Sequence, residues 1–245
     1  MKNMYHAEIS DIGRVRKLNE DCYYYNDSTH FPYGIVADGM GGHAAGEIAS
    51  TMLIDIVKNH LYNKLDNTMD YVEAGEQARR AIINASGIIY NYSKKHYKVM
   101  GMGTTATMAM IYQEKLITAH VGDSRVYLIK DGKIEQITKD HSYVHELVMR
   151  GEITPEEAKH HPKKNFITRA VGAEDFIKVD VSIRSYEGGT VLICSDGLTN
   201  FVEDYEIKEY IQNSTDMQKT IEALVELANE RGGKDNITIV AFGKE

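Results

Sequence analysis

Residues 34–46 read GIVADGMGGHAAG and join an apolar run to a glycine-rich turn. The run 33–37 predicts a buried strand that ends at Asp38. Apolar residues spaced three and four apart then predict a helix from about 45 to 61. A carboxylate is therefore expected where a strand meets a helix. Gly39 beside it lets the backbone turn or approach a ligand closely.

Three further aspartates occupy similar positions along the chain. Asp123 follows the apolar run 119–121, Asp196 follows 191–194, and Asp235 precedes 236–240. Carboxylates held together repel one another unless a cation neutralises them, and oxygen ligands select Mg²⁺, Mn²⁺ or Ca²⁺ over Zn²⁺. A single Asp-Gly pair is most often an ordinary turn, but four such aspartates at apolar strand ends favour a metal centre.

A charged cluster near the start of the chain adds to this pattern. Arg16 offers a planar guanidinium suited to a phosphate, and Glu20 and Asp21 follow it closely. Such a cluster alone is typical of a solvated surface. Beside the four aspartates it indicates metal-assisted hydrolysis of a phosphate ester, with two cations that share a carboxylate and activate a water molecule.

The order of the predicted elements indicates the architecture. Strands are expected at 5–10, 22–26, 33–37, 104–111, 115–121, 125–130, 133–137, 176–183, 190–194 and 236–242. Helices are expected at about 45–61 and 71–95, and two more before the last strand. Asp131-Gly132 predicts a tight hairpin turn. Helix pairs between groups of strands favour antiparallel sheets with helices outside, rather than a parallel doubly wound sheet.

Composition excludes several classes of protein. The 245 residues are 42% hydrophobic and 26% charged, which is typical of a globular domain with a substantial core. The net charge of −8 disfavours binding to nucleic acid. The N-terminus has no signal-peptide pattern and no apolar run reaches membrane-spanning length, so we expect a cytoplasmic protein without membrane insertion. Cys22 and Cys194 are expected to be buried thiols. The sequence has no long heptad pattern, so we expect a monomer.

Seven stretches in a fixed order resemble the bacterial branch of the metal-dependent type 2C (PPM) family of Ser/Thr protein phosphatases. They are residues 10–13, 16–21, 36–43, 101–105, 120–125, 194–198 and 232–238. The resemblance covers essentially the whole chain. It implies an α+β fold, a four-layer α-β-β-α sandwich of two antiparallel sheets flanked by helix pairs. It also implies a single domain spanning 1–245, with a flap at about 141–172 beside the active site.

The resemblance further implies a set of metal ligands. Asp38 would bridge two Mn²⁺ or Mg²⁺ ions, and the Gly39 carbonyl would bind one of them. Asp196 and Asp235 would bind the other ion. Asp123, together with Asp196, would hold a possible third ion.

The same resemblance assigns roles around these ligands. Arg16 would bind the substrate phosphate, while Glu20 and Asp21 would act on the metals directly or through water. Many eukaryotic relatives have a histidine, the proposed general acid, where this chain has Met40. Methionine cannot donate a proton, so the proton must come from another group or from water. His43 is one candidate, although a histidine opening a helix is more often a cap or a surface residue.

The expected function is hydrolysis of phosphoserine and phosphothreonine in proteins. The resemblance implies that the protein opposes a bacterial Ser/Thr kinase and reverses the phosphorylation of that kinase and of its substrates. The runner-up is a binding module on the same fold, which should have lost metal ligands that remain here. A dinucleotide fingerprint near Gly39 is disfavoured because Asp38 would lie beside the pyrophosphate. Zinc at His141 and His145 lacks cysteine partners. A cysteine nucleophile at Cys194 lacks the arginine of a tyrosine-phosphatase loop.

Overall fold

The computed structural model describes residues 4–41 and 45–244, which form two antiparallel sheets and seven α-helices. Numbered along the chain, the first sheet contains β1 (Met4–Asp11), β7 (Arg125–Lys130), β8 (Lys133–Gln136), β10 (Gly189–Cys194) and β11 (Ile237–Lys244). Their spatial order is β1-β11-β10-β7-β8. The first and last strands of the chain therefore pair side by side, Met4 opposite Lys244 and Asp11 opposite Ile237.

The second sheet contains the strands that carry the centre of the sequence. These are β2 (Asp21–Asn26), β3 (Tyr33–Met40), β4 (Gly103–Thr104), β5 (Ala106–Tyr112), β6 (Lys115–Val121) and β9 (Asp180–Ser185). Their order is β2-β3-β5-β6-β9, and β4 pairs with the end of β3. Asp21 lies directly opposite Asp38 in the β2–β3 register.

Helices cover the outer face of each sheet. The second sheet is covered by α1 (Ala45–Lys64) and α2 (Tyr71–Lys95), and the first by α5 (Asp196–Thr199), α6 (Asp204–Gln212) and α7 (Met217–Glu230). Two short helices, α3 (Tyr143–Met149) and α4 (Pro155–His160), lie in the connection between β8 and β9. No helix in the described part of the chain is both long and apolar enough to cross a bilayer.

Three apolar clusters hold these layers together. One lies under α1 and α2, a second lies under α5–α7, and the third lies between the two sheets. The middle cluster joins Val36 of β3 to Ile193 of β10 and to Val240 and Phe242 of β11, all fully buried. The order of elements predicted antiparallel sheets with helices outside, and the resemblance implied a four-layer α-β-β-α sandwich. Both predictions are confirmed.

Local sequence explains where several elements begin and turn. The Asp70 side chain accepts hydrogen bonds from the backbone N–H groups of Val72 and Glu73, and α2 begins at the next residue, Tyr71. Asp131 and Gly132 both have positive φ, 50° and 77°, as the tight β7–β8 hairpin requires. The hairpin predicted from this dipeptide is confirmed.

Three sequence-based expectations about elements were wrong in detail. The strand expected at 176–183 begins only at Asp180, opposite His120, because its partner β6 ends one residue beyond that pair at Val121. The strand expected at 104–111 is interrupted at Thr105, which separates β4 from β5. Three helices rather than two lie between β10 and β11, since residues 196–199 form a short additional turn of helix.

Candidate metal centre

The two sheets bring five aspartates to one end of the sandwich. Asp21 opens β2, Asp38 lies two residues before the end of β3, and Asp123 lies in the turn that leads from β6 of one sheet to β7 of the other. Asp196 is the first residue of α5, directly after β10, and Asp235 lies just before β11. All five side chains are half-buried and act electrostatically on one another.

Burial and mutual repulsion make the charged state of this cluster unfavourable. Burial, followed by repulsion from Asp21 and Asp196, raises the pKa of Asp38 well above its usual range. Burial and then the charge of Asp235 raise the pKa of Asp196 to about 6. Burial and then Asp196 raise the pKa of Asp123. A cluster of this kind demands positive charge.

Two hydroxyl groups fix the carboxylate of Asp21. Its Oδ2 accepts hydrogen bonds from Ser195 Oγ at 2.8 Å and from Thr238 Oγ1 at 2.7 Å. These bonds favour the charged form, yet the cost of burial is larger and raises the pKa of Asp21 to about 7. Asp21 is therefore held by Ser195, which directly follows β10, and by Thr238 of β11.

Thr105 binds both backbone polar groups of Asp38, and Thr104 Oγ1 also donates to the Asp38 carbonyl at 3.0 Å. The Thr105 N–H donates to the Asp38 carbonyl at 2.8 Å, and Thr105 Oγ1 accepts from the Asp38 N–H at 2.9 Å. The same hydroxyl lies 2.9 Å from Ser124 Oγ, beside Asp123. The interruption of the strand at Thr105 therefore couples Asp38 to the turn that carries Asp123.

Arg16 supplies positive charge at the edge of the cluster. Its Nη2 donates to Asp235 Oδ2 at 2.8 Å, and its Nη1 lies 3.9 Å from Glu20 Oε2. The hydrogen bond with Asp235 raises the pKa of Arg16. The Arg16 side chain remains 46% exposed, so the guanidinium can also contact a ligand from solvent.

Glu20 has a structural task beside α1. Its Oε1 accepts the backbone N–H of Gly46 in the first turn of that helix at 3.2 Å, and its carbonyl accepts from Ser50 Oγ at 2.6 Å. Burial raises the pKa of Glu20. The side chain thus reaches the edge of the carboxylate cluster while it satisfies a helix N-terminus.

Gly39 is needed for the close approach of three segments. A Cβ at this position would overlap the carbonyl oxygens of Gly46 and Glu20, which belong to backbone and cannot move aside. The glycine therefore lets the start of α1 and the end of the 14–20 loop lie against β3, next to Asp38.

We expect Gly39→Ala to lower the free energy of unfolding by at least about 2 kcal/mol, as overpacked sites do. Gly87→Ala is the matched control, because a Cβ there meets nothing within 4 Å and the residue lies inside α2. The control should gain about 0.5–1 kcal/mol from helix propensity. Urea unfolding of both variants measures the difference, and equal stability of the two would contradict the packing argument.

The oxygen ligands of this cluster suit hydrated Mg²⁺ or Mn²⁺ better than a metal ion enclosed entirely by protein side chains. Within residues 4–41 and 45–244, no three carboxylate, imidazole or thiolate side chains converge as a ready-made metal site. Mg²⁺ needs no such cage, since it keeps several water molecules and binds through one or two carboxylates. The half-buried, mutually repelling carboxylates and the backbone carbonyl beside them suit such hard cations.

Other candidate chemistries find no support at their residues. Both ring nitrogens of His141 contact protein partners, Gly122 N and Asp180 Oδ2 among them, so this ring is not free to bind zinc. Burial raises the pKa of the Cys194 thiol, which opposes a reactive thiolate. The antiparallel sheets exclude a dinucleotide-binding fold at Gly39. His43 lies outside the described residues.

Sequence reasoning missed two residues that hold the cluster. Asn200 Nδ2 donates to Asp196 Oδ2 at 2.9 Å, and the i,i+4 spacing after Asp196 was the available signal. Arg125 is bound by Asp140 through three contacts of 2.7–3.1 Å, and its charge partly offsets the rise in the pKa of both Asp123 and Asp196. Only the folded chain brings Asp140 to Arg125.

A groove of about 780 Å³ leads from the carboxylates along the predicted flap. Asp123 and Asp196 lie on its lining, as do α3 and α4 residues of the flap and the first residues of α6. The flap contacts the far side of the groove through Lys164 Nζ, which donates to Asn200 Oδ1 at 3.2 Å. Asn200 therefore connects the flap to Asp196.

Known proteins resemble this chain over nearly its whole length. The model of the family "Protein phosphatase 2C" matches residues 14–238. The serine/threonine phosphatase stp of Listeria monocytogenes is 37% identical over 243 residues, which cover 98% of this chain and 96% of that protein. The Streptococcus agalactiae serine/threonine phosphatase structure has a TM-score of 0.91 at 34% identity, covering 99% of this chain and 100% of that one.

A further structure in this comparison contains metal. It is the catalytic domain of the serine threonine protein phosphatase PstP in complex with two manganese ions, with a TM-score of 0.86, 34% identity and 99% coverage of both chains. Agreement in sequence and structure over nearly the full length shows that this chain belongs to the protein phosphatase 2C family of metal-dependent Ser/Thr phosphatases.

Proposed function

We propose that the protein hydrolyses phosphoserine and phosphothreonine in other proteins and opposes a bacterial Ser/Thr kinase in the cytoplasm. The observation that carries this proposal is the group of five half-buried aspartates whose charges repel one another at the end of the sandwich, with Arg16 at their edge. Membership of a metal-dependent phosphatase family supports it.

The proposal assigns two cations, Mn²⁺ or Mg²⁺, to the aspartates. Asp38 would hold both cations, the Gly39 carbonyl would hold one of them, and Asp196 and Asp235 would hold the other. Asp123 and Asp196 would hold a third cation. These ions would supply Lewis-acid polarisation of the phosphoryl oxygens and activation of a water molecule.

The surrounding residues orient the ligands and the substrate. Asp21 is fixed by two hydroxyl groups and lies opposite Asp38, so it would act on the metals directly or through water. Glu20 acts from the first turn of α1. Cations bound at Asp235 would compete with Arg16 for that carboxylate and leave the guanidinium to bind two phosphoryl oxygens.

The groove beside the flap suits an extended peptide that carries the phosphorylated residue. Its lining includes the charged side chains Lys159, Lys164, Glu203 and Asp204. The apolar cluster between the sheets supports our inference that residues 1–245 act as one domain, and we propose that it acts as a monomer.

The direct test is release of phosphate from a phosphothreonine peptide by the purified protein across a Mn²⁺ titration. We expect turnover that requires Mn²⁺ and stops on addition of EDTA. A folded protein that releases no phosphate at any Mn²⁺ or Mg²⁺ concentration would contradict the proposal and favour a binding module on the phosphatase fold.

Arg16→Ala should lower kcat/KM for the phosphothreonine peptide about 10- to 150-fold, because a hydrogen bond to a charged group contributes about 1.5–3 kcal/mol. Arg14→Ala is the matched control, since the Arg14 side chain pairs with Glu226 on the exposed surface and such pairs contribute little. Steady-state kinetics with both variants measure this. Equal kcat/KM for the two variants would remove Arg16 from phosphate binding.

A further inference from the structure

His141 lies at the base of the flap and holds the residue that precedes Asp123. Its backbone N–H donates to the Gly122 carbonyl at 2.7 Å. Its ring Nδ1 accepts a hydrogen bond from the Gly122 N–H at 3.0 Å. Both backbone polar groups of Gly122 are therefore bound by a single residue, 19 positions further along the chain.

The partners of the ring define its protonation. The Gly122 N–H can only donate, so Nδ1 carries no proton, and the ring proton lies on Nε2, which donates to Asp180 Oδ2 at 3.1 Å. Arg169 Nη1 is 3.0 Å from Nε2 but can only donate, and it donates to Asp180 Oδ1 and the Lys178 carbonyl. Burial lowers the pKa of His141, which favours this neutral ring.

The turn at Gly122 has little freedom to find another arrangement. Gly122 has a φ of +113°, and a Cβ there would overlap the side chain of Thr105. The chain crosses here from β6 of one sheet to β7 of the other. The direction of the Asp123 carboxylate therefore depends on how Gly122 is held.

The same histidine connects this turn to the flap. The His141 carbonyl accepts the backbone N–H of Thr168 at 2.8 Å, and Ser142 forms a bridge with Ile167. The two ends of the flap thus meet at His141.

We propose that His141 is a positioning residue for the metal centre, which acts by holding Gly122 so that the carboxylate of Asp123 faces Asp196. It sets the affinity of the cation that these two aspartates share. This inference rests on the proposed function, which assigns that cation. Removal of a residue that orients a metal ligand without contacting the metal typically lowers metal affinity by about 10- to 100-fold.

Two substitutions separate the two ends of the imidazole. Asparagine places an oxygen near the position of Nδ1, so His141→Asn keeps an acceptor for Gly122 and loses the contact with Asp180. Glutamine reaches as far as Nε2 but has no acceptor at Nδ1. His141→Gln therefore keeps the contact with Asp180 and loses the acceptor for Gly122. Asp180→Asn is a third variant that alters the same cluster without touching Gly122.

The first measurement is amide hydrogen exchange at Gly122, followed by NMR in metal-free protein. We expect exchange in His141→Gln to be at least about tenfold faster than in wild type, because the amide loses its buried acceptor. His141→Asn and Asp180→Asn should stay within about threefold of wild type. Equal exchange in wild type and His141→Gln would overturn the inference. The inference would also be overturned if the Gly122 amide lost protection in His141→Asn but kept it in Asp180→Asn. This second outcome can be measured even if His141→Gln does not fold.

The second measurement is a calorimetric Mn²⁺ titration with Asp123→Asn as the reference. The weakest Mn²⁺ site should be lost in Asp123→Asn, weakened about 10- to 100-fold in His141→Gln and retained in His141→Asn. Wild-type Mn²⁺ affinity in His141→Gln, with the site lost in Asp123→Asn, would overturn the role of His141 alone. Unchanged binding in Asp123→Asn would instead overturn the assignment of the third cation, and with it the inference that His141 serves that cation.

Discussion

Asp38→Asn is expected to reduce phosphate release from a phosphothreonine peptide by at least about a thousandfold at saturating Mn²⁺. Asp38 lies among the other aspartates and is the proposed ligand common to both cations. Loss of that ligand removes several kcal/mol of charge stabilisation, and about 4 kcal/mol corresponds to a thousandfold in rate. Steady-state kinetics across a Mn²⁺ titration measure the loss.

The same substitution should stabilise the metal-free protein. Burial and repulsion from neighbouring carboxylates make the charged Asp38 unfavourable, and the neutral amide relieves both. The melting temperature in EDTA should therefore rise. Asp27→Asn, on the exposed surface beyond the other end of β2, should change neither activity nor stability. A variant at Asp38 that keeps activity within tenfold, or that melts earlier than wild type in EDTA, would contradict this role.

The stabilisation that Mn²⁺ gives to the fold should grow as the pH rises from 5 to 7.5. At a hundredfold excess over its Kd, a ligand stabilises by about 2.7 kcal/mol, which is roughly 5–10 °C in melting temperature for a chain of this size. Cations bind carboxylates only after deprotonation, and the pKa is raised to about 7 for Asp21 and to about 6 for Asp196. Protons therefore compete with Mn²⁺ at the lower pH.

In the metal-free protein, proton linkage determines whether these carboxyl groups raise or lower stability as the pH changes. Because these folded-state pKa values lie above the usual value for aspartate, the folded state binds more protons than the unfolded state between about pH 4 and 7. The contribution of these carboxyl groups to stability is thus full below about pH 4 and is lost as the pH rises through 7. Bound Mn²⁺ replaces it.

The comparison with and without Mn²⁺ isolates this effect from other groups. Burial lowers the pKa of His120 to about 4, which makes its contribution rise with pH, opposite to that of the aspartates. His120 contributes to both melting curves, so it largely cancels in their difference. Differential scanning calorimetry at pH 5 and 7.5 measures that difference. A Mn²⁺ effect that is equal at both values, or larger at pH 5, would contradict the account.

Local sequence predicted most elements because their signals are short-ranged. The helix 71–95 was predicted with the bounds it has, since its apolar stripe lies within the segment. The strand at 176–183 failed because pairing depends on the partner. Phe176 is 80% exposed and precedes the paired residues, while Ile177 and Val179 pack into the core without a ladder.

Short sequence patterns predicted the aspartates that cluster at the candidate site, but not the residues that hold them. Apolar strands ending in aspartate mark Asp38 and Asp196 within a few residues of sequence. The supports come from distant segments: Thr105 binds the backbone of Asp38, and Thr238 binds Asp21. The contact of His141 with Gly122 was not predicted, because nothing near either residue in sequence indicates it.

The central claim is that the clustered aspartates form a metal centre bridged by Asp38. Anomalous diffraction from a crystal of the wild-type protein grown with Mn²⁺ tests it most directly. The account predicts two strong peaks that share Asp38 as a ligand, one beside the Gly39 carbonyl and the other between Asp196 and Asp235. Peaks that do not contact Asp38, or none near these aspartates in a crystal that contains Mn²⁺, would contradict it.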